Sequence, residues 1–134
     1  MSSIFDYYNK KIIPFGINGR RRKTTLSLLE GIKNKKVLDI GCASGYIGAV
    51  LKKQGNYVVG IDITKKDIAK AKKSLDKAYV FDIENDNTKI LGRGYDLIVM
   101  IEVIEHLFDP EKAIAKFLPL LKSDGKVLIS TPNF

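Results

Sequence analysis

The sequence predicts an α/β protein built on a doubly wound, mostly parallel sheet. Three observations carry that expectation. Five short runs rich in Val, Ile and Leu recur between stretches of helical character. The runs are continuously apolar rather than alternating, as strands covered on both faces are. The first run, residues 37–40, empties into a glycine-rich turn that opens a helix. Strands separated by helices imply parallel pairing through right-handed crossovers.

Taken in order, residues 1–13 mix aromatic and polar side chains and predict a short helix, broken by Pro14, Gly16 and Gly19. An apolar stripe of Leu26, Leu28, Leu29 and Ile32 predicts a helix over 20–32 that packs on the sheet. Strand one follows at 37–40 and a helix at 46–54. Strand two spans 57–61. The helix over 64–75 opens on Thr64, with Asp67 three residues on as its reciprocal capping partner. Strand three covers 77–81 and strand four 96–100. Pro110 suits the first turn of a helix over 110–121, and Pro119 should end or kink it. Ser123, Asp124 and Gly125 read as a turn into strand five at 126–130. No internal repeat or low-complexity segment interrupts the series.

At 134 residues the chain suits a single domain. Its 45% hydrophobic and 28% charged residues are ordinary for a globular protein in water. Apolar runs such as that at 97–101 fall far short of the ~18 residues that span a bilayer. The N-terminus lacks the pattern of a secretory signal, so a cytoplasmic location is expected. One cysteine, Cys42, excludes an intramolecular disulfide and a Cys-based zinc site. The net charge of +8 comes mainly from lysines on predicted solvated helix faces. Arg20, Arg21, Arg22 and Lys23 form the one run dense enough to grip phosphate or nucleic acid, but no aromatics are interleaved with it.

The chemistry gathers at the ends of the strands. Glycines at 41, 45 and 48 give G-x-x-x-G-x-x-G, which is neither the dinucleotide fingerprint nor a phosphate-binding loop. A nicotinamide dehydrogenase therefore ranks last. A strand that ends in glycines and feeds a helix still brings bare backbone and N–H groups to a ligand. Asp39, inside the entry strand, suits a ligand that carries positive charge. Asp62 closes strand two, where an acid can accept both ribose hydroxyls of a nucleoside or stabilise a helix N-terminus. Asp82 closes strand three. After strand four comes Ile101, Glu102, Val103, Ile104, Glu105, His106 and Leu107. His106, the only histidine, could serve as a general base. On a helical turn Glu102, Glu105 and His106 could instead converge on a divalent cation. The plainer reading, that Glu102 and His106 are walls of a metal-free site, stands ahead of both.

The stretch VLDIGCASGYIG at 37–48 resembles motif I of the class I S-adenosylmethionine-dependent methyltransferases. The resemblance continues in register through YVVGIDIT at 57–64, AYVFDIEN at 78–85, YDLIVMIEVIEHLFDP at 95–110 and LKSDGKVLISTPNF at 121–134. It covers about residues 36–134. It implies a Rossmann-like sheet in the strand order 3-2-1-4-5, with S-adenosylmethionine as cofactor and S-adenosylhomocysteine as product. By that resemblance Gly41, Cys42, Ala43 and Gly45 admit the ligand closely, and Asp39 orients the turn or meets the ammonium of the methionine moiety. Asp62, with Ile63, would hold the ribose. Asp82 would receive the adenine amino group, with Ile83 near the ring, and Ile101 and Glu102 would complete the wall.

The family continues with two further strands, so the chain reads as a fragment of a longer protein. Residues 1–35 would be its substrate-side segment and 36–134 its cofactor-binding core. Were the sheet to stop at strand five, that strand would be an exposed edge. The Glu-Glu-His block is similar to the Glu-x-x-Glu-His of metal-dependent O-methyltransferases, among them small-RNA and quinone-biosynthesis enzymes. The RNA enzymes need a further histidine, which this chain lacks. The resemblance thus implies methyl transfer to a small-molecule acceptor at O, C or N. The acceptor side would be built by Phe5, Tyr7, Tyr8, Phe15 and the loops after strands four and five. The alternatives are an RNA 2′-O-type methyltransferase using Glu102, Glu105 and His106, or a non-catalytic nucleoside-binding module.

Overall fold

The computed structural model describes residues 12–15 and 21–131. Among these, six strands form one parallel sheet: β1 (Ile12–Phe15), β2 (Lys36–Ile40), β3 (Tyr57–Asp62), β4 (Lys77–Val80), β5 (Tyr95–Ile101) and β6 (Leu121–Ser130). Four helices accompany them: α1 (Arg21–Leu29), α2 (Tyr46–Lys53), α3 (Lys65–Ala71) and α4 (Pro110–Phe117). The spatial order is β1-β6-β5-β2-β3-β4, so the five strands expected from the sequence lie in the order 3-2-1-4-5.

The sixth strand corrects the expectation of a helix over 1–13 where the two overlap. Ile12 and Ile13 pair in parallel with Val127 and Leu128, and Pro14 and Phe15 with Ile129 and Ser130. Two β-branched residues and an aromatic favour extended chain. Pro14, which has no N–H to give to a ladder, is tolerated at an edge. The outer side of β6, which would be a bare edge were the sheet to stop there, is thereby covered along Val127–Ser130. Phe5, Tyr7, Tyr8 and Arg20 lie outside the described residues.

Side chains alternate along the buried strands and supply two cores. Leu38 and Ile40 of β2 and Ile98 and Met100 of β5 join Ile114 and Phe117 of α4 on one face. Val37, Val58, Leu97 and Val99 join Leu29 of α1, Leu51 of α2 and Ile68 of α3 on the other. Each such side chain contributes about 1.5–3 kcal/mol when taken from water. Over 25–29 of α1 the inward residues are Thr25 and Leu29, one turn apart, whereas Leu28 of the expected stripe is 44% exposed.

Local signals are met unevenly. Pro110 opens α4, whose N-cap Asp109 accepts from the Lys112 N–H at 3.1 Å, and α4 stops before Pro119 as expected. Thr64 occupies the N-cap of α3 but its side chain makes no capping bond. Its N–H is instead held by Asp62 Oδ1 at 3.0 Å. Helix α3 ends at Ala71, short of the expected 75, and the turn that follows drops Leu75 into the core. Ser123, Asp124 and Gly125 lie within β6 rather than forming a separate turn. The extra residues are absorbed by a register shift opposite Tyr95 and Leu97.

Leu75 fits because two glycines make room for it. A Cβ on Gly48 would lie 2.6 Å from Leu75 Cδ2, and one on Gly60 would lie 2.6 Å from Leu75 Cδ1 and 2.8 Å from Cys42 Sγ. Gly60→Ala should therefore lower unfolding free energy in urea by about 1–3 kcal/mol through overpacking. An unchanged denaturation midpoint would show that the glycine turn is not wedged against β3.

Candidate functional site

The turn after β2 hangs on the end of β3. The N–H groups of Gly41 and Cys42 both donate to the Ile61 carbonyl, at 2.8 and 2.9 Å. The Ala43 N–H donates to Asp62 Oδ2 at 2.9 Å. Gly41 and Gly45 adopt φ of +73° and +93°, and Ala43 one of +49°. The left-handed conformation costs a non-glycine residue roughly 1–2 kcal/mol, which the charge-assisted bond from Ala43 to Asp62 offsets. At Gly41 a Cβ would lie 2.5 Å from Val103 Cγ2, so the turn also abuts the loop after β5. Gly45 instead faces α3, where a Cβ would lie 3.3 Å from Ala71.

The next two loops are held by carboxylates. Asp82 Oδ1 accepts from the N–H groups of Glu84 and Asn85 at 3.0 and 3.2 Å, and Oδ2 from Asn85 Nδ2 at 2.9 Å. The Asn85 side chain first, and then the Glu84 N–H, hold Asp82 below the usual carboxylate range. Glu84 reaches across to the Phe108 N–H at 3.1 Å and the Asp109 N–H at 3.3 Å. The loop after β4 is thereby tied to the loop before α4.

Two cavities open at this carboxyl edge. The first, about 330 Å³, takes in Asp62, Ile63, Asp82, Ile83, His106 and Leu107. The second, about 380 Å³, takes in Asp39, Cys42, Ala43 and Ser44, with Thr25 from α1 and Tyr46 from α2. Gly41, Ile101 and Glu102 line both and so stand between them. All the residues expected to surround a cofactor are therefore brought together except Gly45, whose place is the packing of the turn on α3. Thr25, Ser44, Tyr46 and Glu84 are additions. Thr25 carries the one signal a sequence could have offered, a polar residue in helical phase with buried Leu29.

Glu102, Glu105 and His106 do not assemble as a metal triad. Among the described residues no group of three His, Cys, Asp or Glu side chains stands ready for a metal ion. The expected i, i+3 convergence needs a helix, whereas Glu102 sits at φ +56° and only Ile104–His106 form a single 3₁₀ turn. The His106 side chain is 77% exposed, on the rim of the first cavity, with Nε2 3.8 Å from Glu105 Oε1.

Asp39 is the electrostatic centre of the second cavity. It is 3% exposed, and its Oδ2 has no hydrogen-bond partner among the described residues. Burial, and then the nearby Asp62 carboxylate, push its pKa up to about 7. The same burial, with the Asp39 and Asp62 charges, raises the Cys42 thiol, which therefore stays protonated and unreactive. Thr25 Oγ1 is likewise buried without a partner among the described residues. Leaving a buried polar group unsatisfied costs roughly 1–3 kcal/mol, so both atoms point to a polar ligand.

The raised pKa of Asp39 has a defined consequence for stability. Between the unfolded value near 3.8 and about 7 the folded state binds more protons, so stability falls as pH rises across that window. Asp39→Asn removes the ionisation. Without ligand it should be more stable than the parent at pH 8 by roughly 1–3 kcal/mol and match it near pH 4. Thermal melts at the two pH values read this directly, and equal differences at both would contradict it.

Comparison with known proteins agrees with this geometry. Residues 17–134 match the family model described as a methyltransferase domain. A ubiquinone biosynthesis O-methyltransferase of Vibrio vulnificus is 31% identical over 122 residues, covering 87% of this chain and 52% of that protein. The chain spans about half the length of the curated relatives it matches. Among solved structures, a TehB-like S-adenosylmethionine-dependent methyltransferase of Corynebacterium glutamicum superposes with a TM-score of 0.66 at 31% identity. The match covers 84% of this chain and 61% of that one. An S-adenosylmethionine-dependent methyltransferase of Mesorhizobium loti shares the fold, with a TM-score of 0.73 at 18% identity over 84% of this chain and 54% of that one. A turn anchored on β3, carboxylates at successive strand ends and a family match across most of its length lead to one conclusion: the chain belongs to the methyltransferase domain family.

Proposed function

We propose that this chain binds S-adenosylmethionine across the two joined cavities and carries methyl transfer to a small-molecule acceptor. The likeness to ubiquinone biosynthesis O-methyltransferases favours a hydroxyl as the acceptor. The observation that carries this reading is the division of labour between the cavities. One is flanked by apolar Ile63 and Ile83 with two strand-end carboxylates, and the other holds a buried carboxylate oxygen that lacks a partner among the described residues. The first fits a nucleoside and the second a cationic group, and a single ligand that reaches past Gly41 and Glu102 satisfies both.

In this reading Asp62 binds the ribose. Each of its oxygens holds one backbone N–H and keeps acceptor capacity for a hydroxyl. Asp82 has most of its capacity committed to its own loop and offers Oδ2 to one amino donor, with Ile83 beside the ring. Ile101 and Glu102 fix where the two ends of the ligand meet. Asp39, ionised once a cation faces it, secures the charged end. S-adenosylmethionine supplies an activated methyl group on a positively charged sulfur. What remains for the protein is to position the acceptor in line and keep water away. His106, on the rim of the first cavity, carries an imidazole suited to take the proton of a hydroxyl acceptor.

The test is release of S-adenosylhomocysteine by the chain from S-adenosylmethionine in the presence of small phenolic and catecholic acceptors. Asp62→Ala should bind S-adenosylhomocysteine roughly 10–100-fold more weakly, the loss expected of charge-assisted ribose bonds. Asp62→Ala binding equal to the parent's would remove the assignment of the ribose site. A folded parent chain that releases no product with any acceptor would count against the activity itself.

A further inference from the structure

We propose that Lys116, on α4, is a positioning residue that fixes the loop after β4 against the first cavity and so sets the choice of a 6-amino over a 6-carbonyl purine. This inference rests on the cofactor reading above and deepens it. The loop closes on itself through Asp86. The Asp86 N–H donates to the Asp82 carbonyl at 3.0 Å, and Asp86 Oδ2 accepts from the Asp82 N–H at 2.8 Å. Lys116 Nζ donates to the Asp86 carbonyl at 2.9 Å. Helix α4 therefore grips the residue that is itself joined twice to Asp82.

A lysine on a helix surface ordinarily keeps its head in water, and this one does not. Its ammonium stands 5.7 Å from the centre of the Phe81 ring and 5.4 Å from that of Phe117. Both distances suit the attraction of a cation to an aromatic face. Phe81 immediately precedes Asp82 and lines the first cavity. Burial pulls Lys116 below the usual lysine range, while Asp82, Asp86 and Glu84 act in the opposite direction. Those carboxylates share one short loop and repel one another, and a cation held beside them lowers that repulsion.

Asp82 can read a base only if its remaining acceptor site is aimed. Oδ1 already accepts from two N–H groups and Oδ2 from the Asn85 side chain. An ionised carboxylate offers about four acceptor sites, so the one left to a ligand is on Oδ2. An amino group donates to it, whereas a carbonyl in the same place is repelled. A shift of the loop would turn that site away and cost the amino purine its bond. The carbonyl purine has no such bond to lose. The anchor on α4 fixes the loop, and with it the selectivity.

The experiment is calorimetric titration of the chain and its Lys116→Met, Lys116→Gln and Lys116→Arg variants with two ligands. These are S-adenosylhomocysteine and S-inosylhomocysteine, which carries a 6-carbonyl in place of the 6-amino group. The parent should prefer S-adenosylhomocysteine by about tenfold. Lys116→Met and Lys116→Gln remove the ammonium, and should weaken S-adenosylhomocysteine by about tenfold while leaving S-inosylhomocysteine within about twofold. Lys116→Arg keeps the charge and the aromatic contacts, and should keep the preference. An equal loss for both ligands, no loss, or a preference that Lys116→Arg fails to keep would overturn the assignment while the cofactor reading stood. Failure of both charge-removing variants to fold, read from thermal melts, would do the same. So would a parent that binds the two ligands alike. A folded parent that binds neither would overturn the cofactor reading, and this inference with it.

Discussion

The structure turns on the close seating of the Gly41–Ala43 backbone against the end of β3. Two N–H groups share the Ile61 carbonyl and a third reaches Asp62, so the turn cannot move without releasing all of them. That seating needs glycine at 60, because a side chain there would strike Cys42. It needs glycine at 41 because the loop after β5 presses from the other side. Packing and site are therefore the same constraint. The contacts that hold the turn down are also those that leave its left-handed backbone facing a cavity and aim Asp62 at it.

Electrostatics follow from that geometry. Asp39 lies one residue before the end of β2, on the face covered by α1 and α2, and is shut from water when the turn closes over it. Its carboxyl then sits near enough to Asp62 for like charges to oppose one another, and its pKa rises to about 7. Buried carboxyls raised in this way concentrate at functional sites. Asp82, by contrast, is stabilised as an anion by its own loop, and its first task is structural. The strand-end acids thus perform different work although the sequence presents them as a series. Glu84 extends the arrangement by fastening the Asp82 loop to the segment that carries His106 and Phe108.

What the sequence disclosed was what depends on local pattern. The four inner strands, β2, β3, β5 and β6, carry apolar runs that are buried, so their composition marked them, and the strand order followed from the motif blocks. Asp62 was placed by its position at a strand end. Strand β1 was illegible because Ile12–Phe15 are four residues whose extended form depends on distant Val127–Ser130. The Ser-Asp-Gly run at 123–125 has turn chemistry, yet pairing with β5 drew it into a strand with a register shift. The Glu102, Glu105 and His106 spacing suggested convergence only on the assumption of helical phase, which the left-handed Glu102 breaks. Thr25 was hidden in an apolar stripe, where one hydroxyl gives no sign that it lines a cavity.

The central claim is that one ligand bridges the two cavities with its cationic end on Asp39. Near pH 7 a carboxyl with a pKa of about 7 is partly protonated, and an ammonium placed against it must drive the proton off. The most direct measurement is calorimetric titration with S-adenosylhomocysteine at pH 7 in two buffers of different ionisation enthalpy. The account predicts binding with release of a fraction of a proton, and no release in Asp39→Asn. Binding with no buffer dependence, or a release that persists in Asp39→Asn, would contradict it.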